Sequence, residues 1–288
     1  MQHIIKQYIP LFKLKICILI TFSAIAGLIL TSSGKVSLSN ALILIITTIL
    51  ASGSASAFNH YYDMDIDALM DRTKGRPLPT GGIINPNNVL IISVVLFISG
   101  IVLSALLLNY IVAIHLALGA IVYGVIYTAW LKRRTWTNII IGGLAGSFAV
   151  LAGGASANPG FCLPPILLAV VLFFWTPSHF WSFAIAQQDD YRKAGIPMLP
   201  VVAGNYKTAW YIFINTILLL ISSFLLSFYG SLGTLYTIVA VIAGGYFIFR
   251  NIQLLIKPSK EVAWRNFRDS IIYLKVIFIA IIADVVFR

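Results

Sequence analysis

The sequence predicts an all-α integral membrane protein, a single polytopic domain over residues 1–288 in which nine helices cross the bilayer. Three observations carry this. The chain is 59% hydrophobic and only 10% charged, whereas soluble domains are about a quarter charged. Its apolar residues gather into runs of about 20, the length that crosses a bilayer core. Its basic residues fall almost entirely in alternate connections between those runs.

The runs lie, with approximate ends, at 14–33, 38–58, 88–108, 111–131, 137–157, 162–186, 209–228, 233–250 and 269–287. Lys6, Lys13 and Lys15 precede the first run, as basic residues precede a secretory signal. That run is span-sized and no small-residue cleavage pattern follows it, so it reads as a retained span. Cys17 and Cys162 sit in or beside apolar runs without CxxC or metal-ligand spacing and read as packing residues.

A formal charge of +11 is compatible with nucleic-acid binding, so the placement of the charges decides. With a cytoplasmic N-terminus, the cytoplasmic segments hold Lys6, Lys13 and Lys15; Arg72, Lys74 and Arg76; Lys132, Arg133 and Arg134; Arg192, Lys193 and Lys207; and Arg250, Lys257, Lys260, Arg265 and Arg268. Of the 20 basic residues only Lys35 and Arg288 fall outside, with Lys275 in the last run. This is the positive-inside pattern and predicts an N-in, C-out topology. The basicity is a topology signal; no nucleic-acid partner is expected. The long polar stretches, 59–87 and 187–207, are both cytoplasmic in this arrangement and hold six of the nine acidic residues. The active face is therefore expected on the cytoplasmic side.

After the second run the chain reads Asn59-His60-Tyr61-Tyr62-Asp63-Met64-Asp65-Ile66-Asp67, and then Arg72-Thr73-Lys74-Gly75-Arg76-Pro77-Leu78. Residues 59, 63 and 67 recur every four, so a helix places an amide and two carboxylates on one stripe. Asp65, two positions from each aspartate, falls on another face. Carboxylates at membrane depth cost roughly 2.5 to 3.5 kcal/mol, so a compensating cation is expected. Magnesium, held by one or two carboxylates together with substrate phosphates, suits such a stripe. The competing reading is a solvated loop whose acids balance Arg72, Lys74 and Arg76; it sits poorly with Asn59 and Asp63 continuing an apolar run without a break.

This NxxxDxxxD pattern resembles the first aspartate-rich motif of the UbiA-type intramembrane prenyltransferases, and the RTxxRPL ending resembles the haem O synthase branch of that family. The second stretch, with His179-Phe180-Trp181 followed by DDYxxAGxPMLPVV over 189–202, resembles the same branch. Quinone-type members carry a DxxxD pair there; this chain has adjacent Asp189 and Asp190, preceded by Gln187. The specific content of the resemblance lies in residues 59–79 and 178–202. It implies nine helices around a central cavity open toward the cytoplasm, in the inner membrane if the source is bacterial, and a prenyl diphosphate bound through Mg2+.

The resemblance also implies site roles: Asn59, Asp63, Asp67 and Asp190 catalytic, with Asp63, Asp67 and Asp190 as magnesium ligands, and Arg72, Lys74 and Arg76 binding the diphosphate. The substrates it implies are farnesyl diphosphate and haem B, within a lipid bilayer and upstream of a haem A synthase or terminal oxidase assembly. A farnesyl cation formed as diphosphate leaves would be attacked by a haem vinyl group, and water would quench the resulting cation. No protein nucleophile is required. His179 is either a packed residue or an axial ligand of haem iron. Arg192 and Lys193 either pair with haem propionates or serve topology alone. His60 is as readily a solvated neighbour as a functional group, and His115 and His3 receive no role. Tyr61, Tyr62, Tyr123, Tyr127, Trp130, Phe180 and Trp181 collect near cytoplasmic ends of runs, where interface belts account for most of them. Three alternatives are weighed: a quinone-precursor prenyltransferase on the same scaffold; a transporter, in which intramembrane acids such as Asp284 mark an ion path; and a haem-binding assembly protein without chemistry, which gives the Asn59, Asp63 and Asp67 stripe no purpose.

Overall fold

The computed structural model describes residues 7–83 and 85–287, so that His3, Lys6 and Arg288 lie outside the described residues. Among the described residues there is no strand, and nine long helices account for the architecture. They are α1 (Leu14–Ser32), α2 (Leu38–Tyr62), α3 (Asn87–Leu107), α4 (Tyr110–Leu131), α5 (Asn138–Ala157), α6 (Leu163–Ala186), α7 (Asn205–Tyr229), α8 (Thr234–Ile256) and α9 (Lys260–Val286). Short helices at Met64–Leu69, Gln188–Lys193 and Leu199–Ala203 lie in the two polar stretches.

Local chemistry starts several of these helices. Ser37 caps α2 by accepting from the Asn40 amide, Asn109 caps α4 by accepting from the Val112 amide, and Ser259 caps α9 by accepting from the Val262 amide. Helix α6 opens with prolines in its first turn, where the missing N–H costs nothing. Pro177 further along lacks the N–H that would bond the Phe173 carbonyl. Beside it, the Asn215 amide reaches across from α7, donating to the Phe174 carbonyl at 2.5 Å and to Ser178 Oγ at 2.7 Å.

Eight of the nine helices are long and apolar enough to cross a membrane. The ninth expected run, 269–287, forms the later part of α9, a 27-residue helix. Its first half carries Lys260, Glu261, Arg265, Arg268 and Asp269, which dilute its apolar character. Several helices also outrun their apolar runs. Helix α2 continues to Tyr62 and so includes Asn59 and His60, and α8 continues to Ile256.

Asp284, unexplained by the sequence, has a structural role. It is buried in α9, and its carboxylate accepts from the backbone amides of Gly233 at 2.6 Å and Tyr236 at 3.1 Å. It therefore caps the N-terminus of α8 from a neighbouring helix, where unpaired amides favour a negative charge. An acid so employed marks no ion path.

Each helix packs on the next in chain order and α9 returns to α1, closing a ring. Across it, α1 packs closely on α5 and α6 on α9. A Cβ at Gly153 would stand 1.8 Å from the Ala24 carbonyl oxygen, and one at Gly27 would stand 2.3 Å from that of Val150. Only glycine allows that approach, as small residues do at helix contacts in membranes. The apolar core of Ala26, Val150, Leu168, Leu172, Phe278 and Ile281 lies between these helices. At the other end, where the polar stretches lie, the ring encloses a cavity.

Candidate active site

The cavity is built from the end of α2 upward. The Asp63 amide donates to the Asn59 carbonyl at 3.0 Å and the Asp67 amide to the Asp63 carbonyl at 2.8 Å. The i→i+4 ladder thus runs through the break between α2 and the helix Met64–Leu69, and the stripe expected from the sequence holds. Asn59, Asp63 and Asp67 are 3%, 0% and 1% exposed. Isolated charges so deeply buried are costly unless paired.

Cations supply the pairing. Lys132 Nζ donates to Asp63 Oδ2 at 2.5 Å, Lys13 Nζ to Asn59 Oδ1 at 2.5 Å, and the Arg76 guanidinium to Asp67 Oδ2 at 2.5 Å. The Asn59 amide donates to Asp63 Oδ2 at 2.7 Å and to Thr128 Oγ1 at 3.1 Å. Lys13 has φ 45 and ψ 50 at the junction between a 3-10 turn, Ile9–Phe12, and α1. A non-glycine residue there costs about 1 to 3 kcal/mol.

Helix α4 turns its end toward this group through an unusual segment. Val122–Leu131 is π-helical, and the Lys132 amide donates to the Tyr127 carbonyl, five residues back, at 2.8 Å. In an α-helix, at 3.6 residues per turn, positions 123 and 132 would lie on opposite faces. The wider π turn brings Tyr123, Tyr127 and Lys132 to the same cavity.

The cavity, of about 370 Å³, is lined on this side by Lys13, Asn59, His60, Asp67, Arg72, Arg76, Tyr123, Tyr127 and Lys132. His179, Phe180, Phe183, Tyr191 and Phe267 line the rest, apart from Pro10 and Ile16 at its edge. The second acidic stretch closes it. Asp190 accepts from the backbone amides of Asp71 and Arg72, both at 3.1 Å, and so ties the helix Gln188–Lys193 to the loop carrying Arg72. The Arg72 guanidinium lies 5.2 Å from the Phe183 ring centre. Burial pushes the Tyr191 phenol up to about 12, so it remains a neutral hydrogen-bond group.

Three basic residues expected at the site are not brought there. Lys74 and Lys193 both bind the exposed Asp71, at 2.7 and 2.5 Å. Their ammonium groups, Lys193 first, hold the Asp71 carboxyl at about 2. Arg192 is exposed and 4.0 Å from Asp189. These three side chains stand in solvent away from the cavity, whereas Arg76 and the more open Arg72 line it. Asp65 also faces outward, paired with both nitrogens of the Arg133 fork at 2.7 Å, and that hydrogen bonding lowers its carboxyl.

Sequence reasoning missed Lys13, Lys132, Thr128 and Tyr191. In the sequence both lysines read as topology charges. The only signal for Lys132 is its spacing from Tyr123 and Tyr127, which requires knowing that the turn is π-helical.

The donors at the stripe are amide and carboxylate oxygens, which suit magnesium. Asp63 Oδ1, fully buried, has no hydrogen-bond partner among the described residues, with an Arg133 nitrogen 3.7 Å away. Among the described residues no three His, Cys, Asp or Glu side chains converge on one point. Asn59, Asp63 and Asp67 therefore fit part of a magnesium site that other oxygens would have to complete, and do not form a complete protein cage.

Known proteins agree with this architecture. Residues 20–282 match the UbiA prenyltransferase family. The chain is 48% identical over 281 residues to protoheme IX farnesyltransferase 1 of Paramagnetospirillum magneticum (strain ATCC 700264 / AMB-1), covering 97% of this chain and 98% of that protein. It is 40% identical over 281 residues to protoheme IX farnesyltransferase of Alkalilimnicola ehrlichii (strain ATCC BAA-1101 / DSM 17681 / MLHE-1), covering 97% and 92%. In fold it is similar to a digeranylgeranylglyceryl phosphate synthase, with a TM-score of 0.83 and 23% identity over 100% of both chains. A UbiA homologue from Archaeoglobus fulgidus bound to DMAPP and Mg2+ gives a TM-score of 0.75 at 16% identity, covering 96% and 99%. With the family model matched over residues 20–282 and relatives 40–48% identical over nearly the whole chain, this chain belongs to the UbiA prenyltransferase family.

Proposed function

We propose that this protein transfers the farnesyl group of farnesyl diphosphate to a vinyl group of protohaem IX, with addition of water, to give haem O. One observation carries the reading. Asn59 and Asp67 of the buried stripe, with Asp63 enclosed between them, share a single cavity with four cations that line it, Lys13, Arg72, Arg76 and Lys132, and with a wall of His179, Phe180, Phe183 and Phe267. The first part suits a diphosphate and the second a flat, largely apolar acceptor. The names of the relatives from P. magneticum and A. ehrlichii give haem as that acceptor.

In this reading Lys13, Arg72, Arg76 and Lys132 receive the diphosphate and stabilise the negative charge that grows on it as the allylic C–O bond breaks. Asn59, Asp63 and Asp67 would hold Mg2+, as a metal is present with DMAPP in the A. fulgidus homologue. When bound, the metal neutralises phosphate charge. Asp190 acts by fixing the loop that aims Arg72. Tyr123, Tyr127, Phe180 and Phe183 offer ring faces to the allylic cation and keep bulk water from it. The vinyl carbon forms the new C–C bond, and water adds to the cation left beside the porphyrin, losing one proton.

We also propose nine crossings with the N-terminus in the cytoplasm, α9 included, and a cavity opening on the cytoplasmic face of the cell membrane. The alternation of basic segments supports this. A quinone-precursor acceptor finds no support: Asp190 has no partner at DxxxD spacing, its four-residue neighbours being Ala186 and Ala194. The test is incubation of purified protein with haem B, farnesyl diphosphate and Mg2+, with haem products read by mass.

A further inference from the structure

His179 lies two residues beyond Pro177 in α6 and lines the cavity. Its Nδ1 is 2.7 Å from Ser270 Oγ on α9. Ser270 has one hydroxyl hydrogen, and it is donated to the Phe267 carbonyl at 2.6 Å, a group that can only accept. Toward His179, then, Oγ is an acceptor, and Nδ1 carries the hydrogen. That fixes the tautomer and leaves Nε2 with its lone pair. Both ring faces are covered. Trp175 stacks at 4.2 Å and 16°, and Phe267 at 4.5 Å and 26°. Trp175 is held in turn by donating to the Ser270 carbonyl at 2.7 Å. Tilting the ring would break this stack and flipping it would break the Nδ1 bond to Ser270, so its free edge is the one bearing Nε2.

A neutral imidazole whose Nδ1–H is held by an oxygen, with an available Nε2, is how metal-binding histidines are prepared. Haem iron commonly takes such a ligand. We infer that His179 Nε2 ligates the iron of the substrate haem and that Ser270 holds it ready to do so. The porphyrin then rests on the wall of α6 and α9, leaving the α2 wall with Asn59 and Asp67 to the diphosphate. This rests on the haem-acceptor reading above.

The test uses full-length protein in lipid nanodiscs, titrated with ferrous haem B and separately with iron-free protoporphyrin IX. Wild type is expected to show the iron–histidine stretching band in resonance Raman spectra and to bind haem at least tenfold more tightly than the iron-free porphyrin. His179→Ala is expected to lose the band and that preference, with affinity for protoporphyrin IX unchanged, and added imidazole restores the band. Ser270→Ala is expected to weaken haem binding on the order of tenfold, and Ser270→Thr to recover it. Retention of the band and of the haem preference in His179→Ala overturns the inference, as does equal loss of both porphyrins, which is the mark of packing alone. Should wild type farnesylate haem while His179→Ala keeps the band, only the ligand assignment fails. Should wild type bind neither haem nor protoporphyrin IX, the acceptor reading fails with it.

Discussion

Lys132 Nζ stands 2.5 Å from Asp63 Oδ2, and both side chains are buried. The ammonium group sits on the carboxylate that the proposed reaction needs for magnesium, so it compensates that charge and lies ready to move to an arriving phosphate. Breaking one side of a buried pair costs about 3 to 5 kcal/mol. Lys132→Ala is therefore expected to lower the melting temperature of the protein without ligand. Magnesium with farnesyl diphosphate is expected to recover much of the loss, since it supplies the missing positive charge. A variant as stable as wild type without ligand would mean that the pair is not compensating Asp63.

Asp63→Asn and Asp67→Asn are expected to abolish turnover while the protein remains folded, whereas Asp65→Asn keeps most activity because its carboxylate faces solvent beside Arg133. The measurement is steady-state product formation together with circular dichroism. Equal loss in all three would contradict a single inward stripe.

The cations divide similarly. Charge-assisted hydrogen bonds contribute about 1.5 to 3 kcal/mol, so Arg72→Ala and Arg76→Ala are expected to reduce kcat/KM for farnesyl diphosphate roughly 10- to 100-fold. Lys74→Ala, at a solvent-facing position, is expected to change it less than about twofold, the scale of exposed pairs. An equal effect at Lys74 would show that the loop rearranges when substrate binds.

The Asp71 carboxyl, held at about 2 by Lys193 and Lys74, gives a pH signature. Its folded value is depressed, so its contribution to stability is complete above the ordinary carboxylate value of about 4 and is lost as pH falls toward 2. The stability difference between wild type and Asp71→Asn is expected to stay constant from about pH 5 upward and to shrink below about pH 4. A difference that changes around neutrality would point to another group.

Much of this was legible in the chain itself. Runs of about 20 apolar residues mark the spans because a bilayer satisfies no exposed backbone polar group. Four-residue spacing places Asn59, Asp63 and Asp67 together because the helix continues past the apolar run. Orientation within loops was not legible. Arg72 and Lys74 are two residues apart with the same charge; the Asp190 clasp on the backbone at 71 and 72 and the pairing of Lys74 with Asp71 set them apart. Lys132 was hidden by a π turn that no apolar period announces. Asp284 resembles an ion-path residue until the α8 amides it caps are seen.

Topology can be read directly in a Cys17→Ala, Cys162→Ala background. Cysteines replacing the exposed Lys74 and Lys193 are expected to react only with reagents that reach the cytoplasm, and one replacing the exposed Asn158 from outside. Labelling at Lys74 from outside would invert the proposed arrangement.

The most direct test of the proposed chemistry is the product formed from haem B and farnesyl diphosphate in ¹⁸O-labelled water. The expected product carries one farnesyl group and one added hydroxyl, with the label on that hydroxyl. Its formation is expected to be lost in Asp63→Asn. Prenylation of 4-hydroxybenzoate with haem B left unchanged would contradict the acceptor, and a correct haem product without label would contradict water as the group that closes the reaction.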